Sequence, residues 1–155
     1  MTMHYHGTPI TPIKDLLAMG GRNFCVSHVR PDDVARCHQI GQSVMLDNGA
    51  FSVWKSKKVT NWPAFYDWCD RWLAYPTTWA VIPDVIDAGT QEQDALLREW
   101  PHGHRGAPVW HMVSRSTGFC ASAMNGRVSA SVPQMFSLIF SHTLGAARWM
   151  KFLTR

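Results

Sequence analysis

Three aspartates sit where a short apolar run gives way to turn residues. Asp47 follows Val44, Met45 and Leu46 in "VMLDNGAFSVWK" (44–55), while Asp84 and Asp87 close "TWAVIPDVID" (78–87). A carboxylate at a strand end can hold a ligand or exchange a proton with it, because the strand fixes the group and the loop leaves it reachable. Two such carboxylates on neighbouring strands would converge on one pocket and perturb each other's ionisation. Asn48 and Gly49 tolerate positive φ, so the chain can turn sharply just after Asp47. Plainer explanations stand beside these. Asp47 could cap the segment that follows it, and Asp84 and Asp87 could form a turn or a cap, with Pro83 marking an irregular strand end.

Weaker patterns come from the histidines and from one basic stretch. His4 and His6 in "HYH", His102 and His104 in "HGH", and His28 and His111 at strand ends could supply metal ligands. "MHYHGTPITP" does not read as a convincing strand, so surface or hydrogen-bonded histidines are the simpler account. "WKSKK" (54–58) mixes an aromatic with Lys55, Lys57 and Lys58, a composition able to contact phosphate and base, or merely a solvated loop.

The elements that must position these groups alternate along the first 112 residues. "FCVSHV" (24–29), "SVMLD" (43–47), "TWAVIPDVI" (78–86) and "APVWHM" (107–112) read as strands. "RPDDVARCHQIG" (30–41) opens with proline and two carboxylates and closes at Gly41, as a helix does. "NWPAFYDWCDRWLAY" (61–75) has Asn61 as N-cap and places Phe65, Cys69, Trp72 and Leu73 on one face. "TQEQDALLREWP" (90–101) begins with Thr90 and Gln93 in capping-box spacing. The order β-α-β-α-β-α-β implies parallel strands with helical crossovers, in a doubly wound sheet or a (β/α)8 barrel. Neither GxGxxG nor GxxxxGK[ST] follows a strand, which weakens the nucleotide-binding version. Four strands make half a barrel.

At 155 residues one domain is expected, and the text divides it at residue 112. Residues 1–112 carry ten Lys/Arg and eleven Asp/Glu, a net charge of −1; residues 113–155 carry five basic residues and no acid, a net charge of +5. The basic character, and with it the usual inference of a polyanionic partner, belongs to the tail. That tail, "VSRSTGFCASAMNGRVSASVPQMFSLIFSHTLGAARWMKFLTR", has seven serines and little periodicity. It could be a divergent loop-rich segment. Read one base out of frame, with suitable synonymous codons, residues 113–132 encode Glu-Pro-Ile-Asp-Arg-Leu-Leu-Arg-Leu-x-Asp-Glu-Trp-Pro-Arg-Val-Cys-Ile-Gly-Ser, an amphipathic helix followed by a strand. The Met124–Asn125 junction must then give Glu, and Trp149 to Lys151 must give Asp-Glu, so acids return where the tail has none. The expectation is an out-of-frame tail on the N-terminal half of a barrel, which the coding sequence downstream of codon 107 decides.

No run approaches 18 apolar residues, and "MTMHYHGTPITPIKD" lacks the basic and apolar regions of a signal peptide. A cytoplasmic protein is expected. Cys25, Cys37, Cys69 and Cys120 lack zinc-site spacing and read as reduced, mostly buried thiols.

"LDNGAFSVW" resembles the Asp-Ser-Gly-Gly-Phe and Asp-Ser-Gly-Ala-Phe motif of tRNA-guanine transglycosylases and of their phage and bacterial relatives that insert 7-deazaguanine into DNA. The order of the DNGAF strand, an aromatic helix, "VIPDVID" and "PVWH" is similar to the phage members. The resemblance covers about residues 3–112, and its DNGAF stretch is the specific part. It implies a (β/α)8 barrel of which this chain holds the first four βα units, exchange of guanine in DNA or tRNA for a deazapurine, and no cofactor. The implied partners are nucleic acid and a deazapurine base, with no membrane and the homo-oligomeric state left open; a phage or prophage gene acting in host cytoplasm is the implied setting. By position Asp47 matches the aspartate that contacts the base and does acid-base work. Asp84 matches the second, base-recognising carboxylate, with Asp87 as the fallback. Asn48 lies within the motif, Gly49 would allow close approach, and Phe51 would stack on the base or support the turn. Asn48 and Ala50 depart from the Ser and Gly of the motif. Nothing here matches the later nucleophilic aspartate or the cysteine-rich zinc site, so this chain is expected to be inactive. A metal-dependent hydrolase half-barrel and a noncatalytic nucleic-acid-binding protein are the alternatives.

Overall fold

The computed structural model describes residues 3–87 and 89–110, with the backbone of strands Ser137–Ile139 and Met150–Leu153. Five parallel strands, β1 (His4–Gly7), β2 (Asn23–Ser27), β3 (Ser43–Asp47), β4 (Thr78–Val81) and β5 (Gly106–Ala107), lie side by side in chain order. The helices between them are α1 (Ile13–Ala18), α2 (Val34–Ile40), α3 (Ala50–Lys55), α4 (Trp62–Trp72) and α5 (Thr90–Glu99). The fold is a mixed α/β one with a five-stranded parallel sheet. Beyond it, β6 (Val109–Trp110) pairs parallel with β7 (Ser137–Ile139), and β8 (Met150–Leu153) pairs antiparallel with both β7 and β1. Within the 113–155 tail, residues other than these strands lie outside the described ones. Among the described residues no helix is long and apolar enough to cross a membrane.

Alternation along the strands separates two cores. Phe24, Val26, Val44, Leu46, Ala80 and Ile82 point to one face, where they meet Leu16 of α1, Val34 and Cys37 of α2, and Phe65 and Cys69 of α4. Tyr5, Cys25, Met45, Trp79, Val81, Ala107 and Val109 point to the other, and no helical residue joins that cluster. The period of two on each strand explains the split, and it places α1, α2, α4 and α5 on one side of the sheet. A doubly wound sheet would have helices on both.

Several local expectations need correction. "HYHG" is a strand after all: pairing with β2 on one side and β8 on the other supplies its hydrogen bonds, and Tyr5 alone is buried from it. Five βα-linked parallel strands stand where four were expected. The 24–29 strand ends at Ser27, the 78–86 strand ends at Val81, and Pro108 interrupts the 107–112 strand because it cannot donate to a ladder. Asn61 does cap α4, its Oδ1 accepting from the Ala64 amide at 3.1 Å. The Thr90–Gln93 capping box does not form; Gly89 is the N-cap, and Gln93 Nε2 donates to the Val85 carbonyl. At the other end of α4, Arg105 donates to the carbonyls of Leu73, Tyr75 and Pro76, closing orphan groups beyond the helix C-terminus.

Candidate active site

Register and parity put Asp47 on the helix-free face. In the β2–β3 ladder Ser27 stands opposite Asp47, two residues beyond Cys25 and Met45, which belong to the helix-free cluster. In a parallel pair such partners share a face. The His28 amide donates to the Asp47 carbonyl at 2.8 Å, carrying the pairing one residue past the strand.

The turn after Asp47 explains why the sequence reads Asn-Gly. Gly49 has φ 76°, and a Cβ there would lie 2.4 Å from Val29 Cγ2, so the backbone conformation and the neighbour both demand glycine. The close approach at Gly49 is therefore to the β2–α2 loop. Asn48 is 3% exposed and bonds in three directions. Its Oδ1 accepts from the Ala50 amide at 2.8 Å, and its Nδ2 donates to the Ile82 carbonyl at 2.8 Å and to Asp84 Oδ1 at 2.7 Å. Asn48 thus pins the end of β3 to the segment following β4. The DNGA turn opens directly into α3, a helix that the sequence reading lacked.

A cavity of about 300 Å³ opens at the carboxyl ends of β1, β2 and β3. Tyr5, Gly7, Cys25, Ser27 and Asp47 line it from the strands; Thr8, Val29, Arg30 and Ser52 line it from the segments beyond. Asp47 is the acid among these residues and Arg30 the cation. Ser27 Oγ is buried with no hydrogen-bond partner among the described residues. Arg30 makes no ion pair among the described residues, and its amide closes a turn onto the Ser27 carbonyl at 2.9 Å.

The remaining expected residues sit around the cavity rather than in it. Asp84, 6% exposed, is turned to Asn48 and is not among the lining residues, so the two carboxylates are linked through the Asn48 turn and do not face one another across the pocket. The reason is alternation: Asp84 continues the side of Ala80 and Ile82, which faces the helices, whereas Asp47 continues the side of Cys25 and Met45. Asp87 accepts from Trp54 Nε1 at 2.5 Å, tying the loop after β4 to the end of α3. Phe51 lies on α3 with its ring 5.7 Å from that of Trp54. Ser27, Arg30 and Thr8 escaped the sequence reading. Ser27 could have been found from the alternation "CVS" beside "MLD"; Arg30 and Thr8 carry no comparable signal.

Among the histidines, His28 packs on Phe65 and Trp68, and His38 stacks on both Trp72 and Tyr75, at 5.0 and 4.3 Å. Burial lowers the pKa of both imidazoles, because the charged form is the one desolvation penalises. Burial likewise pushes the thiols of Cys37 and Cys69 up to about 12. Among the described residues no group of three or more His, Cys, Asp or Glu is placed to hold a metal ion. His111 and Cys120 lie outside the described residues.

Comparison with protein-family models, with curated proteins and with solved structures gives no match.

Proposed function

We propose that residues 3–110 form the base-holding part of a transglycosylase-type site that takes guanine or a 7-deazaguanine, with Asp47 as its acid-base group. The observation that carries this reading is the cavity on the helix-free face at the carboxyl ends of parallel strands, lined by Asp47. Four helices, α1, α2, α4 and α5, packed on one side with side chains of the strands filling the other fit a (β/α)8 barrel, and function in such barrels lies at that end. The strand order also begins and ends on one segment, since β5 and β6 are separated by Pro108 alone. The antiparallel pairing of β8 departs from an all-parallel barrel.

The chemistry follows from the groups present. Cleavage of an N-glycosidic bond builds oxocarbenium character on the sugar while the departing purine gains electron density, so a donor at the base edge lowers the barrier. Asp47 supplies that donor when protonated and an acceptor for the base N–H groups when ionised. Ser27 Oγ, its neighbour across the ladder, adds a hydrogen-bonding group that has no partner among the described residues. Asn48 and Asp84 hold the turn that orients Asp47. The nucleophilic carboxylate implied by the resemblance falls after residue 112, so base binding, without exchange, is the activity expected of this chain.

Equilibrium dialysis against 7-deazaguanine and guanine tests the proposal. Saturable binding that falls at least tenfold in Asp47→Asn supports it; equal binding by the two proteins contradicts it. Incorporation of labelled guanine into DNA or tRNA by the 155-residue chain would overturn the assignment of the nucleophile to later residues.

A further inference from the structure

We infer that Arg30 is a phosphate-binding residue at the rim of the Asp47 cavity, so that the cavity takes a purine as part of a nucleotide; this rests on the base-holding reading above. Arg30 and Asp47 line the same cavity, yet Arg30 makes no ion pair among the described residues. Of the two carboxylates that precede α2, Asp33 accepts from Arg36 Nη1 at 2.9 Å, and Asp32 makes no ion pair with Arg30. Arg30 therefore keeps its planar fork for a ligand, and that fork matches a phosphate in bidentate fashion.

Position along the strands separates the two charges in a useful order. Asp47 ends β3 inside the sheet face, whereas Arg30 lies three residues beyond the end of β2 in an exposed turn. Ser52, on the first turn of α3, lines the same cavity and its hydroxyl can donate to a phosphate, whereas the Thr8 hydroxyl, just after β1, donates to the Cys25 carbonyl at 3.4 Å. A nucleotide has this polarity: a base that enters, a sugar in the middle, and a phosphate that stays at the mouth. The chemistry is common to a free mononucleotide and to a phosphodiester within a polymer.

Titration of the full chain and of Arg30→Ala with guanosine, guanosine 5′-monophosphate, inorganic phosphate and a guanine-containing oligonucleotide separates the cases. The wild type is expected to bind the monophosphate about tenfold more tightly than guanosine, and in Arg30→Ala the two affinities converge. Equal affinities in the wild type, or a preference that survives Arg30→Ala, would overturn the role of Arg30. Arg30-dependent binding of phosphate and monophosphate alone, with no affinity for guanosine, would keep the anion site and remove the purine reading. No binding of any probe by the folded protein would remove both. Oligonucleotide binding tighter than monophosphate binding, with a salt dependence that shrinks in Arg30→Ala, assigns the phosphate to a polymer. Arg30→Lys is the companion variant: retained charge without the fork should recover only part of the preference.

Discussion

The two ends of the helix-free sheet face are built on opposite terms. At the amino ends, Trp79 Nε1 donates to the Tyr5 hydroxyl at 2.9 Å, that hydroxyl lies 2.9 Å from Ser43 Oγ, and Ser43 Oγ donates to the Thr77 carbonyl at 2.7 Å. The Tyr5 and Trp79 rings meet edge-on at 5.6 Å, so a strand-to-strand clamp closes that end. At the carboxyl ends the same face carries a hollow, a hydroxyl without a partner among the described residues, and charges of both signs. A fully bonded network stabilises, whereas polar groups kept beside a void do not. The difference teaches that one end holds the strands and the other is held open for something else.

The comparison can be broken by substitutions at its hinge. Gly49→Ala should have the largest effect, destabilising by about 3 kcal/mol from the positive φ and the overlap with Val29. Chemical denaturation checks this, and a loss below about 1 kcal/mol would mean that the turn is less constrained than its geometry. Trp79→Phe at the closed end comes next, with about 1–2 kcal/mol of lost stability and no change in base affinity. Asp47→Asn sharpens the contrast from the other side: a stability change within about 1 kcal/mol, with base binding lost.

Acidification provides a smaller, graded test away from the cavity. His28 and His38 have folded-state pKa values lowered by burial from 6.5, so the folded protein binds their protons less readily than the unfolded chain. Their contribution to stability is therefore intact above about pH 6.5 and is lost as pH falls below it. Melting temperatures measured from pH 8 to pH 5 should drop below that point. In His38→Phe, which keeps the stack with Trp72 and Tyr75, the drop should be shallower. Smallest of all, Asp87→Asn leaves an acceptor for Trp54 Nε1 and should change stability by less than about 0.5 kcal/mol, with a shift in Trp54 fluorescence as its main sign.

Much of this was legible in the chain wherever one local signal decided the structure. "SVMLD" is a strand with the bounds expected, and the Asn61 cap and the Phe65–Cys69 face of α4 follow from spacing. "HYHG" was not, because its strand state depends on pairing with β2 across 15 intervening residues and on burial of Tyr5 alone. Nor was the partner of Asp84: alternation puts it on the side of Ala80 and Ile82, but only the structure reveals its bond to Asn48. Asp47 reads correctly as a strand-end carboxylate because its parity with Cys25 and Met45 is unbroken. Arg30 could not be read at all, since nothing in "SHVRP" says that a loop returns over the end of its own strand.

The central claim is that a purine occupies the hollow between Cys25 and Asp47. The half-buried Cys25 lines that hollow, while Cys37 and Cys69 are buried with thiols that resist ionisation. The most direct measurement is the rate of Cys25 alkylation by a small iodoacetamide-type reagent, read on its own peptide by mass spectrometry, with and without 7-deazaguanine. The account predicts protection of at least about fivefold that disappears in Asp47→Asn. Alkylation at the same rate with and without the base, in the folded wild-type protein, would contradict it.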